Sequence, residues 1–375
     1  MNTKKPFETA VVGGIEVKNR IFRSATGEAF ATEGKTNQVI YDMYEKLCQG
    51  KIGLISMGYF SFSKTDHKSG NVLQFNTDAV TSLKNLTDMV HQYDTKIIAQ
   101  LNHASTQLFV PPEGHAYGPS GYIDPASTIP STPFSTEQIH NLIKEFGEAA
   151  SLAKSSGFDG VQLHAAHGYL LSKFLSPTFN KRTDEYGGDT QKNMQIVVDI
   201  LNEIKTICGN DYPVWIKLNS SDFELEGKGL TEDLFLETAE ALSEKGIDAI
   251  EVSGGTLSGF HVFSRSIKHV AYHLESAKKL TDKLKASVIL VGGIREIDTI
   301  DAILSETKID AVSLSRSLIR EPNLVKRWMD GDRSKAKCVA CNGCFNFSGV
   351  RCFFDLTKAE QEEQRPMMKM MQSKN

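Results

Sequence analysis

The sequence predicts an α/β protein: a single (β/α)8 TIM barrel with an N-terminal hairpin and a short Cys-containing C-terminal extension. Three observations carry this. Eight short runs dense in Val and Ile alternate with amphipathic stretches, and strands that each feed a helix make a parallel sheet that eight strands can close. The first run ends Arg23-Ser24-Ala25-Thr26-Gly27-Glu28, without the Gly-rich phosphate turn of an open doubly wound sheet. The 375 residues exceed the ~250 of a plain barrel, which leaves room for an extension.

The elements follow in order. Gly13-Gly14 lies between two β-rich runs within Thr9–Val17, the pattern of a hairpin, expected to plug the bottom of the barrel. The barrel strands are read at Ile21–Ser24, Gly53–Met57, Lys96–Leu101, Gly160–His164, Pro213–Leu218, Ala249–Val252, Val288–Val291 and Ala311–Leu314. Apolar residues at three-to-four spacing predict helices at Asn76–Gln92, Thr136–Ser156, Thr231–Lys245 and Ser276–Leu284. Ser135 and Thr231 stand at two of their starts as capping residues. The segment His103–Pro133, rich in Pro, Gly and Ser, reads as a long loop over the active face. Residues 1–330 are taken as the barrel and 331–375 as the extension, with Lys358–Asn375 a frayed polar tail.

Composition narrows the function classes. Lys and Arg total 42 and Asp and Glu 46, a net charge of −4, which lacks the basic balance of a nucleic-acid binder. No apolar run reaches the ~18 residues of a membrane span, and Met1–Pro6 lacks a signal-peptide core. The expectation is a cytoplasmic protein acting on a small molecule, with assembly into homo-oligomers left open.

In such a barrel the chemistry gathers where strands end. Those ends carry Ser24, Ala25 and Thr26, then Gly58, Gln100 and His103, then His164, His167 and Tyr169, then Lys217 and Asn219. Gly292-Gly293 follows the seventh strand and Ser315-Arg316 the eighth. These last two turns suit a phosphate, since glycines let backbone N–H groups approach an anion and Arg295 or Arg316 adds charge. His164, His167 and Tyr169, inside six residues, could polarise a carbonyl oxygen and supply a proton. Two other readings stand beside this one: interior histidines that only pack, or a zinc-dependent barrel hydrolase, which would need a third ligand.

The stretch His164-Ala165-Ala166-His167-Gly168-Tyr169-Leu170-Leu171-Ser172-Lys173-Phe174-Leu175-Ser176-Pro177, running on to Asn180-Lys181-Arg182-Thr183-Asp184-Glu185-Tyr186-Gly187-Gly188, resembles the signature of the old yellow enzyme family of NADH:flavin oxidoreductases. It is most similar to the barrel of bacterial 2,4-dienoyl-CoA reductase. Lys18-Asn19-Arg20-Ile21, Gln100-Leu101-Asn102-His103-Ala104, Glu251-Val252-Ser253-Gly254-Gly255-Thr256 and Val291-Gly292-Gly293-Ile294 match in family order. The resemblance implies FMN across the barrel mouth, reduced by NADH or NADPH, with an activated C=C bond as hydride acceptor. It implies a phosphate site at Gly292, Gly293, Ser315 and Arg316. Gln100 would meet the pyrimidine edge, Lys217 would face N1, and Ser24, Ala25, Thr26 and Gly58 would lie along the ring. His164 and His167 would hold the substrate carbonyl, and Tyr169 would be the proton donor. No Rossmann unit is legible, in keeping with a nicotinamide that visits and leaves. Three positions depart from the family pattern: Lys217 stands for the usual Arg, Ser315 for Gly, and no Gly-Arg follows His103-Ala104.

Cys338, Cys341, Cys344 and Cys352 are spaced C-x2-C-x2-C-x7-C. The residue type suits a [4Fe-4S] cluster or zinc, and the larger dienoyl-CoA reductases carry an iron–sulfur linker here, though with wider spacing. A remnant of that linker with free thiols, and a metal-binding electron carrier on a barrel scaffold, are the alternatives. The remaining two of the six cysteines, Cys48 and Cys208, read as packing residues.

Overall fold

The computed structural model describes residues 3–67, 71–108, 112–223, 228–257, 264–345 and 349–373. Eight parallel strands form the barrel: Ile21–Arg23, Leu54–Ser61, Lys96–Leu101, Gly160–Ala165, Val214–Asn219, Ala249–Ser253, Ser287–Val291 and Ala311–Leu314. Each pairs with its sequence neighbour, and the first also pairs with the eighth, Ile21 opposite Val312, so the sheet has no free barrel edge. Its strands are buried on both sides, which is why they read as continuous apolar runs instead of alternating ones.

The hairpin is present, with Ala10–Val12 antiparallel to Ile15–Val17. Its Val12, Ile15 and Val17 pack on Phe22, Leu54, Ile98, Trp215, Ala249, Ile289 and Ala311, which lie toward the N-terminal ends of the strands. Trp215 Nε1 donates to the Gly13 carbonyl at 2.8 Å. A Cβ at Gly13 would fall 2.4 Å from that indole nitrogen, and its φ is +52°, so glycine is required at this contact. The bottom is closed as expected.

Capping chemistry sets the helix starts. Ser135 and Gln138 form a reciprocal capping box before Thr136–Ser155, and Thr231 caps Glu232–Glu244. The predicted Asn76–Gln92 element opens with a 3-10 turn before Val80–His91. The helix expected at Ser276–Leu284 lies at Leu274–Leu280. Helices at Gln38–Gln49, Thr190–Cys208 and Ile297–Glu306, with the short Leu324–Met329 after the eighth strand, complete the ring. No helix among the described residues is long and apolar enough to cross a membrane.

The C-terminal reading needs correction. Lys358–Ser373 is a helix, not a frayed tail. A Thr357–Glu360 capping box starts it, Thr357 N–H donating to Glu360 at 2.8 Å and Glu360 N–H to the Thr357 hydroxyl at 3.3 Å. Met371 is buried, grouped with Leu257 and packed by Phe345 and Met367. Polar composition concealed one narrow apolar stripe.

The candidate active site

A cavity of about 450 Å³ opens at the C-terminal ends of the strands, within the ~300–1,000 Å³ of sites that enclose a small ligand. Ser24, Ala25, Thr26, Gln100, His164, His167, Tyr169, Lys217, Gly292, Gly293, Ser315 and Arg316 all line it. Residues from every part of the chain thus converge as the sequence reading expected. Gly58 is the exception. It sits where the register between the second and third strands shifts, with φ +116°, and this bulge brings Tyr59 to the cavity wall instead.

The fourth strand delivers the chemistry. The His164 ring lies 5.1 Å from that of His167 and 4.8 Å from that of Tyr169. His167 has a left-handed φ of +65°, held because its N–H donates to Asn219 Oδ1 at 3.0 Å. Its Nε2 meets Ser253 Oγ at 2.7 Å. Burial pushes both imidazoles well below the usual histidine range, and the nearby Lys217 cation acts in the same direction. Both are therefore neutral at pH 7. Burial likewise raises the Tyr169 phenol, with a hydrogen bond from Gln107 pulling the other way, so the ring keeps its proton.

Beneath this pair runs a buried polar chain across four strands. Gln100 Nε2 donates to Gln162 Oε1 at 2.8 Å, and Gln162 Nε2 donates to Glu251 Oε2 at 2.9 Å. Lys217 Nζ lies 3.1 Å from Glu251 Oε2 and donates to Ser24 Oγ at 2.8 Å. Burial acts to raise the Glu251 carboxyl, but Lys217 and hydrogen bonds from Ser24, Gln162 and Ser313 outweigh it, and the net shift is downward. Glu251 is thus a carboxylate lying against the Lys217 amine. Lys217 and Gln100 are legible in the sequence as strand-end residues; Gln162 carries no signal there, and Glu251 appears only within a family-matching run with no role of its own.

Toward the seventh and eighth strands the turns are tight. A Cβ at Gly292 would lie 2.7 Å from the Tyr272 ring, and one at Gly293 2.4 Å from the His269 carbonyl. These glycines therefore also serve close packing. Ser315 Oγ lies 3.2 Å from Thr26 Oγ1, which also accepts from Arg23. That places the unexpected serine against the first strand. Arg316 Nη1 donates to Asn342 Oδ1 at 2.6 Å and to the Arg265 carbonyl at 2.8 Å.

The cavity residues fit a large polar cofactor. His164 Nδ1, His273 Nε2 and Arg295 Nη1 belong to lining residues, are buried, and have no hydrogen-bond partner. Buried polar groups are ordinarily paired, so three such atoms around one cavity mark places for a ligand to bond. The cysteines give a different result. All four line one small cavity of about 20 Å³, yet among the described residues no group of three or more His, Cys, Asp or Glu side chains is placed to hold a metal ion. His103, the third imidazole a zinc hydrolase would draw on, is instead buried beside Asp66 and bonded to Thr65 at 3.1 Å.

Fold and cavity together define a barrel protein with a cavity of small-ligand size at the C-terminal edge of its sheet. Sequence comparison narrows that class: residues 5–334 match the model of the NADH:flavin oxidoreductase / NADH oxidase family, and the chain belongs to this family, that of old yellow enzyme. It is 29% identical over 372 residues to a metal reductase of Desulforamulus reducens, covering 95% of this chain and 54% of the relative. It is 31% identical over 363 residues to an NADH oxidase of Thermoanaerobacter brockii, covering 93% and 54%. The chain thus spans about half the length of these two relatives. Among solved structures, a 2-naphthoyl-CoA reductase in complex with 2-naphthoyl-CoA superposes with a TM-score of 0.86 at 24% identity, over 96% of this chain and 58% of that one.

Proposed function

We propose that the cavity is the active site of an FMN-dependent oxidoreductase that takes hydride from NADH or NADPH and reduces an activated C=C bond of a small molecule. The observation that carries this is the meeting of His164, His167 and Tyr169 in the same cavity as Gln100, Lys217 and Arg316. Arg316, with the Gly292-Gly293 turn, would hold the phosphate, Gln100 the pyrimidine edge, and Lys217 the N1 side. When bound, FMN supplies the hydride chemistry. The neutral imidazoles of His164 and His167 donate hydrogen bonds to the substrate carbonyl oxygen, where negative charge develops. Tyr169 holds the proton destined for the carbon α to that carbonyl. Within the family we propose a likeness to the barrel of 2,4-dienoyl-CoA reductase, which rests on the long fourth-strand motif. Residues 1–330 would be the flavin barrel and 331–375 its extension, working in the cytoplasm on a small molecule, with no nucleic acid or membrane.

The test is direct. Flavin released on denaturing the purified protein is expected to be FMN and not FAD. A colourless protein that also fails to take up added FMN would overturn the reading.

A further inference from the structure

The cysteine loop and the cavity share a wall: Arg316, Cys338, Asn342 and Cys344 line both the main cavity and the small one between the cysteines. Asn342, between Cys341 and Cys344, is buried at 3% exposure. Its Oδ1 accepts from Arg316 Nη1 at 2.6 Å and from Ser264 Oγ at 2.9 Å, and its Nδ2 donates to the Ser264 carbonyl at 3.2 Å. Its φ of +59° is a left-handed conformation that asparagine tolerates better than most residues. On the far side, Gln364 and Gln372 of the C-terminal helix donate to the Gly343 and Cys341 carbonyls. The loop is thereby clamped, and through Asn342 it grips one nitrogen of Arg316. A guanidinium has five donor hydrogens in a fixed plane, so fixing Nη1 orients the fork without exhausting it.

We propose that Asn342 is a positioning residue that orients Arg316 for the flavin phosphate, so that retention of FMN depends on the conformation of the cysteine loop. This rests on the flavin reading above. An arginine already held in one rotamer loses less freedom when it meets a phosphate than a free one does. The effect is confined to ligands that carry the phosphate, which separates positioning from a general structural role.

The experiment compares FMN with riboflavin, using flavin fluorescence quenching on the apoprotein. Asn342→Gly keeps the left-handed backbone and removes the amide. It is expected to weaken FMN about 2- to 12-fold, the cost of immobilising one rotamer-rich side chain on binding, and to leave riboflavin unchanged. In an Arg316→Ala background the same change should add nothing, since both act on one contact. Asn342→Asp keeps the side-chain shape but pairs a carboxylate with the guanidinium in competition with phosphate, so the preference for FMN over riboflavin should fall here too. Equal weakening of both flavins, an unchanged preference in either variant, or full additivity with Arg316→Ala would overturn the proposal. Failure of the wild type to bind FMN would overturn the flavin reading itself, which is a distinguishable result.

Discussion

The Lys217 ammonium stands 3.1 Å from the Glu251 carboxylate, with both side chains no more than 3% exposed. A lysine there without its partner would be a buried charge in a medium that solvates charge poorly. Glu251→Gln is therefore expected to destabilise the apoprotein by about 3–5 kcal/mol, measured as a shift in urea midpoint. The double change Lys217→Met, Glu251→Leu should recover most of that loss. A single variant as stable as wild type would show that the pair is solvated.

Replacing the two histidines should affect a ligand more than the fold. A para-substituted phenol added to the FMN-loaded protein is expected to give a long-wavelength charge-transfer band, because its oxygen would sit between His164 and His167. Both imidazoles are held neutral by burial, so any pH dependence of the band should follow the phenol's own ionisation and not theirs. Changing both residues to Ala should abolish it while FMN stays bound. A band that survives would make the histidines structural.

Tyr169→Phe separates two half-reactions. Reduction by NAD(P)H needs no proton from this phenol and should proceed near the wild-type rate. Reoxidation by cyclohexenone needs protonation at the α-carbon and should slow about 10²–10⁴-fold. A nitroalkene should suffer less, since its nitronate is stable without immediate protonation. Stopped-flow traces decide: equal slowing of both halves would mean that the ring only shapes the cavity.

The stability of the protein should also depend on pH through Glu28. Burial pushes this carboxyl from 4.5 up to about 7, against the opposing pull of Arg23. The folded state therefore binds more protons than the unfolded one between these values, so this contribution is fully present below 4.5 and is lost as pH rises through 7. The difference is on the order of 3 kcal/mol. Chemical denaturation across that window should show wild-type stability falling with pH, and Glu28→Gln should flatten the slope. An unchanged slope would assign the dependence to another group.

Much of this molecule is legible in one dimension because parallel barrel strands are buried on both faces and flanked by turns. Lys96–Leu101 and Ala311–Leu314 occupy the boundaries read from their β-rich composition. The cavity residues were readable by position, since strand ends are where such a barrel places polar groups. What escaped reading depends on tertiary partners. Glu251 resembles any charged strand residue until Lys217 is brought beside it across the sheet. Tyr59 reaches the wall only because a bulge follows Met57. Asn342 carries no motif of its own, and its meaning comes from Arg316, 26 residues earlier. The Lys358–Ser373 helix did leave a sign in Thr357-x-x-Glu360, but its polar composition outweighed that sign.

The hairpin at the bottom of the barrel has a consequence for the order of folding. Its turn bonds to Trp215, 202 residues further along the chain, and its apolar face rests on residues as distant as Ala311. Contacts of such sequence separation are costly to form early, because a long loop must close before they reward it. Residues Ala10–Val17 are therefore expected to wait, with Val12, Ile15 and Val17 in water, until the last strand has joined the first. The hairpin acts as a latch that registers completion of the ring. During that wait it is also a small adhesive segment, so a chaperone, or a second unfinished chain, would find it before the finished barrel does.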